Sequence, residues 1–153
     1  MTFVRTPYFV WLMTVQFHPA PGTIVRVDLN EGFRKPEMGK RRPAIVLSPE
    51  LPGRPRLCSI VPLSTTAPKV VRSFHYLLTL APPLPSPYSS PEMWVKGDMV
   101  LTVAFHRLRH LHNGKDEEGR RIYDIRCLED DVFLEIQRCV ARGLGMGHLF
   151  GTD

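Results

Sequence analysis

Cysteine is scarce in this sequence, and the scarcity excludes several chemistries. The three present, Cys58, Cys127 and Cys139, are an odd number with no C-x-x-C spacing. A disulfide framework and a cysteine-built zinc site are therefore not expected, and the reading is a reducing, cytoplasmic setting. Long apolar runs are also missing. A membrane span needs roughly 20 apolar residues, and the stretch from Tyr8 to Met13 is far shorter. No small-residue cleavage site comes after it, which argues against a secretory signal. Six histidines are present, but they do not organise into a metal site. His106, His110 and His112 come nearest to a cluster, with no cysteine or closely spaced carboxylate to complete it. Solvated or phosphate-facing histidines are the simpler reading. No metal, no cofactor and no membrane partner is expected, and no internal repeat is visible.

What is present fits one soluble globular domain. Hydrophobic residues are 43% and charged residues 23% of 153 positions, enough chain for a proper core. The net charge of +5 is concentrated in one place. Between Phe33 and Arg56 there are seven cations (Arg34, Lys35, Lys40, Arg41, Arg42, Arg54, Arg56) and two anions (Glu37, Glu50). The rest of the chain carries thirteen of each sign and is neutral. A local basic patch on a neutral body points to a polyanion partner, nucleic acid above all. A solvated basic loop is the alternative.

Residues 1–20 read as an N-terminal arm. Residues 1–12 look detached from the rest, a loose arm or a start-site artefact, since Met13 offers a second plausible start. A single domain is expected over 21–150. Short strand-like runs separated by proline and glycine are predicted at 23–28, 44–47, 57–63, 74–80, 93–96, 99–105 and 120–126. Residues 81–91 hold five prolines in eleven positions, so that loop is extended and is no central strand. Near the end the period changes. Leu128, Val132, Phe133, Ile136, Cys139 and Val140 fall on one helical face, with Glu129, Asp130 and Asp131 in the first turn, where the helix dipole favours anions. Gly143 and Gly145 are read as its stop. The fold class is mainly β with a C-terminal helix, folded as a small, strongly bent barrel.

Four blocks occur in order: Pro21-Gly22-x-Ile24-x-x-Val27-Asp28, Arg42-Pro43-Ala44-Ile45-Val46-Leu47-Ser48, Val61-Pro62-Leu63-Ser64-Thr65 and Val95-Lys96-Gly97-Asp98. Their order and spacing resemble the MazF/PemK family of bacterial toxin ribonucleases, from about Pro21 to the C-terminal helix. The resemblance implies an SH3-like barrel and a homodimer that binds RNA across the dimer face. It implies a cognate antitoxin that blocks the groove. It also implies metal-independent cleavage of single-stranded RNA.

That chemistry sets three tasks. The 2′-hydroxyl attacks the neighbouring phosphorus, leaving a 2′,3′-cyclic phosphate and a free 5′-hydroxyl. Something must take the 2′ proton, something must protonate the leaving oxygen, and something must neutralise charge on the phosphoryl oxygens. Arg42 matches the family's Arg-Pro arginine and suits the third task, because its planar fork binds two oxygens and keeps its charge. A surface salt bridge is the alternative. Ser64 and Thr65 match the family's hydroxyl pair. A hydroxyl can donate to a phosphate oxygen without bringing a charge to desolvate, and a turn cap is the other reading. Asp98 with Lys96 matches an acid–base pair. Asp98 is a general-base candidate or an Asx-turn anchor. Glu37 lies where the family often carries an acid, although the Gln of that pattern is missing here. Arg34, Lys40, Arg41 and Lys96 are assigned to RNA binding, the sequence-blind and salt-dependent part of it. His75 and His106 are read as structural or RNA-facing, and Phe33, Tyr88 and Trp94 as aromatics able to stack bases. A catalytically inactive nucleic-acid- or protein-binding module is the competing function.

Overall fold

The computed structural model describes residues 14–151; the detached arm expected at the start lies largely outside them. Its last residues are packed. Val15 is buried, and its N–H donates to the Leu108 carbonyl at 3.1 Å.

The chain is mainly β with one C-terminal helix. The strands are β1 (Ile24–Leu29), β2 (Lys40–Val46), β3 (Leu57–Ser64), β4 (His75–Thr79), β5 (Glu92–Lys96), β6 (Leu101–Ala104), β7 (Leu108–Arg109), β8 (Leu111–Lys115) and β9 (Arg121–Asp124). The helix α1 covers Asp130–Gly143, with 3₁₀ turns at Phe105–Arg107 and Gly147–Phe150. A seven-stranded sheet runs β4-β5-β3-β2-β1-β7, with β6 also on β3, and β8 and β9 form a separate hairpin. Every ladder in these sheets is antiparallel.

The bend is concentrated in β3. Its first half pairs with β6 and its end pairs with β5. On its other edge it meets β2 only over Ala44↔Pro62, Ile45↔Val61 and Val46↔Ile60. Pro62 and the adjacent Pro43 have no N–H to extend that ladder. The expected barrel is not closed: among the described residues no pairing joins β7 back to β4. Each face of the bent sheet buries its own core. Val25, Val27, Leu29, Ala44, Val46, Cys58, Ile60, Val103 and Leu108 fill one. Ile24, Ile45, Val61, Leu63, Leu78, Met93, Val95 and Ile136 fill the other, under α1. Odd and even residues of one strand thus enter different cores, as a period of two requires.

Several sequence boundaries shift. Strand β2 begins at Lys40 and not at Ala44, so the cations belong to the strand. Strand β8 falls between the predicted strand runs, where none was expected. β7 was not anticipated; at two residues it is too short for any periodicity to register. Gly143 is the last residue of α1 and not its stop, whereas Gly145 leaves the helix at φ 75°. The acidic first turn and the buried Ile136 and Cys139 agree with the helical period.

The cysteines are all free. Cys58 is buried, and burial pushes its thiol up to about 11; burial raises Cys139 as well. Cys127 is exposed. Because the thiolate is the reactive form, native protein is expected to react quickly with a thiol reagent at Cys127 alone. Denaturation should release the other two. Mass mapping of the labelled peptides checks this, and fast native labelling of Cys58 would contradict it.

Candidate nucleic-acid interface

The site begins with one backbone feature. Lys40 sits at φ 71°, the left-handed region that a side chain with a Cβ adopts only at some strain. It comes directly after Gly39 and opens β2. From there the strand alternates, and its three cations part company. Arg41 lies on the face of Ile45, and Arg42 on the face of Ala44 and Val46.

Arg42 is half-buried, and its Nε donates to the Gly39 carbonyl at 2.6 Å. That bond orients the guanidinium and leaves its two terminal nitrogens as donors. Among the described residues Arg42 has no carboxylate partner. Arg41 is different. Its Nε donates to Asp28 Oδ2 at 3.0 Å in an exposed ion pair. The Asn30 N–H holds Oδ1 at 3.0 Å. The backbone hydrogen bond and then Arg41 hold the Asp28 carboxyl below its ordinary range.

Ser64 shares the Arg42 face. On β3 it alternates with Cys58 and Ile60, which enter the same core as Ala44. The β2–β3 ladder ends at Ala44↔Pro62, and beyond it Ser64 pairs with Trp94 of β5, so Arg42 and Ser64 share a face by alternation without being ladder partners. Ser64 is buried, and its Oγ accepts the Thr66 N–H at 3.1 Å. It does serve as a turn cap; its own proton remains a donor. Thr65 is exposed and lies one residue past β3.

The two acids come together at one depression. A cavity of about 230 Å³ is lined by Pro36, Glu37, Met38, Asp98, Met99, Val100 and Leu101. Glu37 closes its own loop: its N–H donates to the Arg34 carbonyl at 2.8 Å, and its Oε2 accepts the Arg34 N–H at 2.9 Å. Both residues are exposed. Asp98 is exposed in the turn between β5 and β6, where the Met99 N–H reaches the Lys96 carbonyl at 2.9 Å. Lys96 is half-buried and stands cross-strand from His75. Lys96 and Asp98 are not joined: among the described residues neither takes part in an ion pair.

Two glycines seat that turn. A Cβ on Gly97 would lie 2.3 Å from the Cys139 carbonyl oxygen and 2.8 Å from that of Phe74; one on Gly143 would lie 2.6 Å from the Asp98 nitrogen. The turn therefore rests backbone to backbone on the end of α1.

The remaining candidates divide. His75 Nδ1 accepts the Arg72 N–H at 2.9 Å, a structural role. His106 is exposed. His110 and His112 are desolvated, which pushes both imidazoles down. Among the described residues no three His, Cys, Asp or Glu side chains gather as a metal site. Trp94, one of the aromatics considered for stacking, is half-buried. Phe33 carries Arg107 over its ring at 5.0 Å. Sequence reading missed Arg107, which donates to the Asp28 and Glu31 carbonyls at 3.1 and 3.0 Å and anchors the β1–β2 loop. No motif marks it, because both acceptors are backbone atoms far away in sequence.

These features define a class first: a small, strongly bent β-sheet protein with a C-terminal helix and a basic strand mouth. The family is equally plain. A model of the PemK-like, MazF-like toxins of type II toxin–antitoxin systems matches residues 20–144, and the chain belongs to that family. The fold agrees with solved structures. MazF from Deinococcus radiodurans (Form-I) is 23% identical, with a TM-score of 0.55 over 85% of this chain and 99% of that one. The MazE-MazF structure (Form-II) from the same organism is 22% identical, with a TM-score of 0.50 over 85% and 98%. An endoribonuclease in complex with its cognate antitoxin, from Mycobacterial species, is 17% identical, with a TM-score of 0.51 over 84% and 97%. No curated protein matches the sequence. Among the described residues no helix is long and apolar enough to cross a membrane.

Proposed function

We propose that this protein is the toxin of a type II toxin–antitoxin pair and a metal-independent endoribonuclease acting on single-stranded RNA. The observation that carries the reading is Arg42: a guanidinium held by the Gly39 carbonyl, free of any described carboxylate, on the strand face that Ser64 shares by alternation. In this reading the RNA 2′-oxygen bonds to phosphorus and the bond from phosphorus to the 5′-oxygen breaks. Arg42 takes the charge that grows on the non-bridging oxygens. Ser64, whose oxygen accepts the Thr66 N–H, donates a hydrogen bond to one of them. Asp98 takes the 2′ proton and is the better base, because the Glu37 carboxylate already serves its own loop. Solvent water protonates the leaving 5′-oxygen, so the net change is one proton moved from the 2′- to the 5′-oxygen. Lys40, Lys96 and Arg34 supply sequence-blind attraction. The Mycobacterial neighbour is described as a complex with its cognate antitoxin, which supports an antitoxin partner here; a homodimer is part of the same reading.

The test is direct. Purified protein is incubated with single-stranded RNA in excess EDTA, and the ends are analysed. Cyclic-phosphate and 5′-hydroxyl ends are expected; tight binding with no cleavage would refute the enzyme reading in favour of a binding module. Ser64→Ala is expected to lower the cleavage rate roughly a hundredfold, as loss of one oxyanion donor does. Thr65→Ala should have the smaller effect; the reverse order would move the role to Thr65.

A further inference from the structure

The face opposite Arg42 holds an arrangement that the cleavage reaction leaves unused. Arg26 of β1 and Arg109 of β7 are direct cross-strand partners. On its other side Arg26 meets Pro43, and two residues along Asp28 meets Arg41. By alternation all of these side chains share the face of Ile24 and Ile45. Like charges set directly opposite destabilise a sheet. Among the described residues no direct ion pair relieves this pair, although Tyr88 and Asp28 act on Arg26 through space. Asp28 is occupied by Arg41 and the Asn30 N–H. Among the described residues neither Arg26 nor Arg109 has an ion-pair or side-chain hydrogen-bond partner. Arg26 is half-buried, and desolvation, joined by Arg109 and Arg41, pushes its guanidinium down against the opposing effects of Tyr88 and Asp28. On the adjoining hairpin His112 lies in the field of Arg121 and Arg26, and its buried Nδ1 has no partner.

We propose that Arg26, Arg41 and Arg109 form a second phosphate-binding surface, which grips the RNA strand away from the bond being cut. The proposal rests on single-stranded RNA being the ligand of the Arg42 site. Arg26 and Arg109 face each other across neighbouring strands about 5 Å apart, and Arg41, level with Asp28, lies diagonally from Arg26 on β2. Forked cations placed in succession on one face suit a polymer with one charge per nucleotide. Continuity favours RNA over an acidic protein. Arg41 and Arg42 are consecutive and point to opposite faces, so one strand passing over the start of β2 reaches both surfaces.

The test measures binding of 2′-O-methyl RNA, which keeps its phosphates but cannot attack them, so the result does not depend on cleavage. Full-length wild type and R26Q/R109Q are compared on strands of about 30 and about five nucleotides, above and near a minimal site. Expected for the longer strand is about a tenfold loss for the variant. Its salt slope should fall by about 1.4, about 0.7 for each lost contact on a single strand. The shorter strand should lose less. R109Q alone should show about half the change in slope and keeps the question open to test if the double variant folds poorly. Equal losses at both lengths would overturn the proposal, as would no loss. A changed oligomeric state in light scattering, or polyglutamate competing as well as RNA at matched charge, would also overturn it. Cleavage by the wild type with no binding difference refutes this surface alone. A binding difference without cleavage of any RNA refutes the catalytic reading alone.

Discussion

Arg42→Ala protein is expected to fold normally and to cleave RNA roughly a hundredfold to a thousandfold more slowly, the loss typical of removing a preorganised donor to a developing oxyanion. The expectation rests on geometry more than on charge. Three cations adjoin one another in sequence, but only Arg42 is aimed by a backbone carbonyl onto the Ser64 face. Arg41 is turned the other way and bound to Asp28. Arg42→Lys keeps the charge and loses the two-pronged fork, so it should recover only a small part of the rate. Arg41→Ala should mainly weaken binding and its salt dependence. The assay is single-turnover cleavage at saturating protein, which separates chemistry from affinity. An Arg42→Ala protein that cuts at full rate removes the residue from the mechanism.

Gly97→Ala is expected to destabilise the protein by about 3 kcal/mol, the upper range for overpacking a filled interior. For a chain of this size that lowers Tm by roughly 10 °C. The added methyl would meet the Cys139 carbonyl oxygen at 2.3 Å and the Phe74 carbonyl oxygen at 2.8 Å. Both are backbone atoms, fixed in α1 and beside β4, so no side-chain rotation relieves the clash. The turn must lift off the helix, and Asp98 moves with it. Gly143→Ala approaches the same turn from the other side, 2.6 Å from the Asp98 nitrogen, and should act in the same direction. Because the two glycines share one contact, the double variant should fall short of additivity. Thermal unfolding checks the stability. A Gly97→Ala protein that melts within a degree or two of wild type would show that the turn is not clamped.

Much of this molecule was legible in one dimension. Apolar residues at helical spacing with an acidic first turn marked α1, and the strands with continuous apolar runs, β2 and β3, were found because burial on both faces leaves that pattern. The basic segment and the Arg-Pro and Val-Pro blocks located the candidate site. The elements that were missed are short or amphipathic: β7 has two residues, and β8 reads as a polar loop. Their pairing comes from partners elsewhere in the chain.

The sequence by itself determined the family, the mainly β class with its terminal helix, and the residue types proposed for phosphate chemistry. Tertiary structure alone decided how those residues divide. A period-two strand throws neighbours to opposite faces, so the register of β2 against β1 decides which arginine shares the face of Ser64. The strand opens at the left-handed Lys40. The cap on Ser64, the Gly97–Gly143 contact beneath Asp98 and the opposed Arg26 and Arg109 likewise join positions that are distant in sequence or differ only in direction. No composition or spacing encodes that information until the strands are in register.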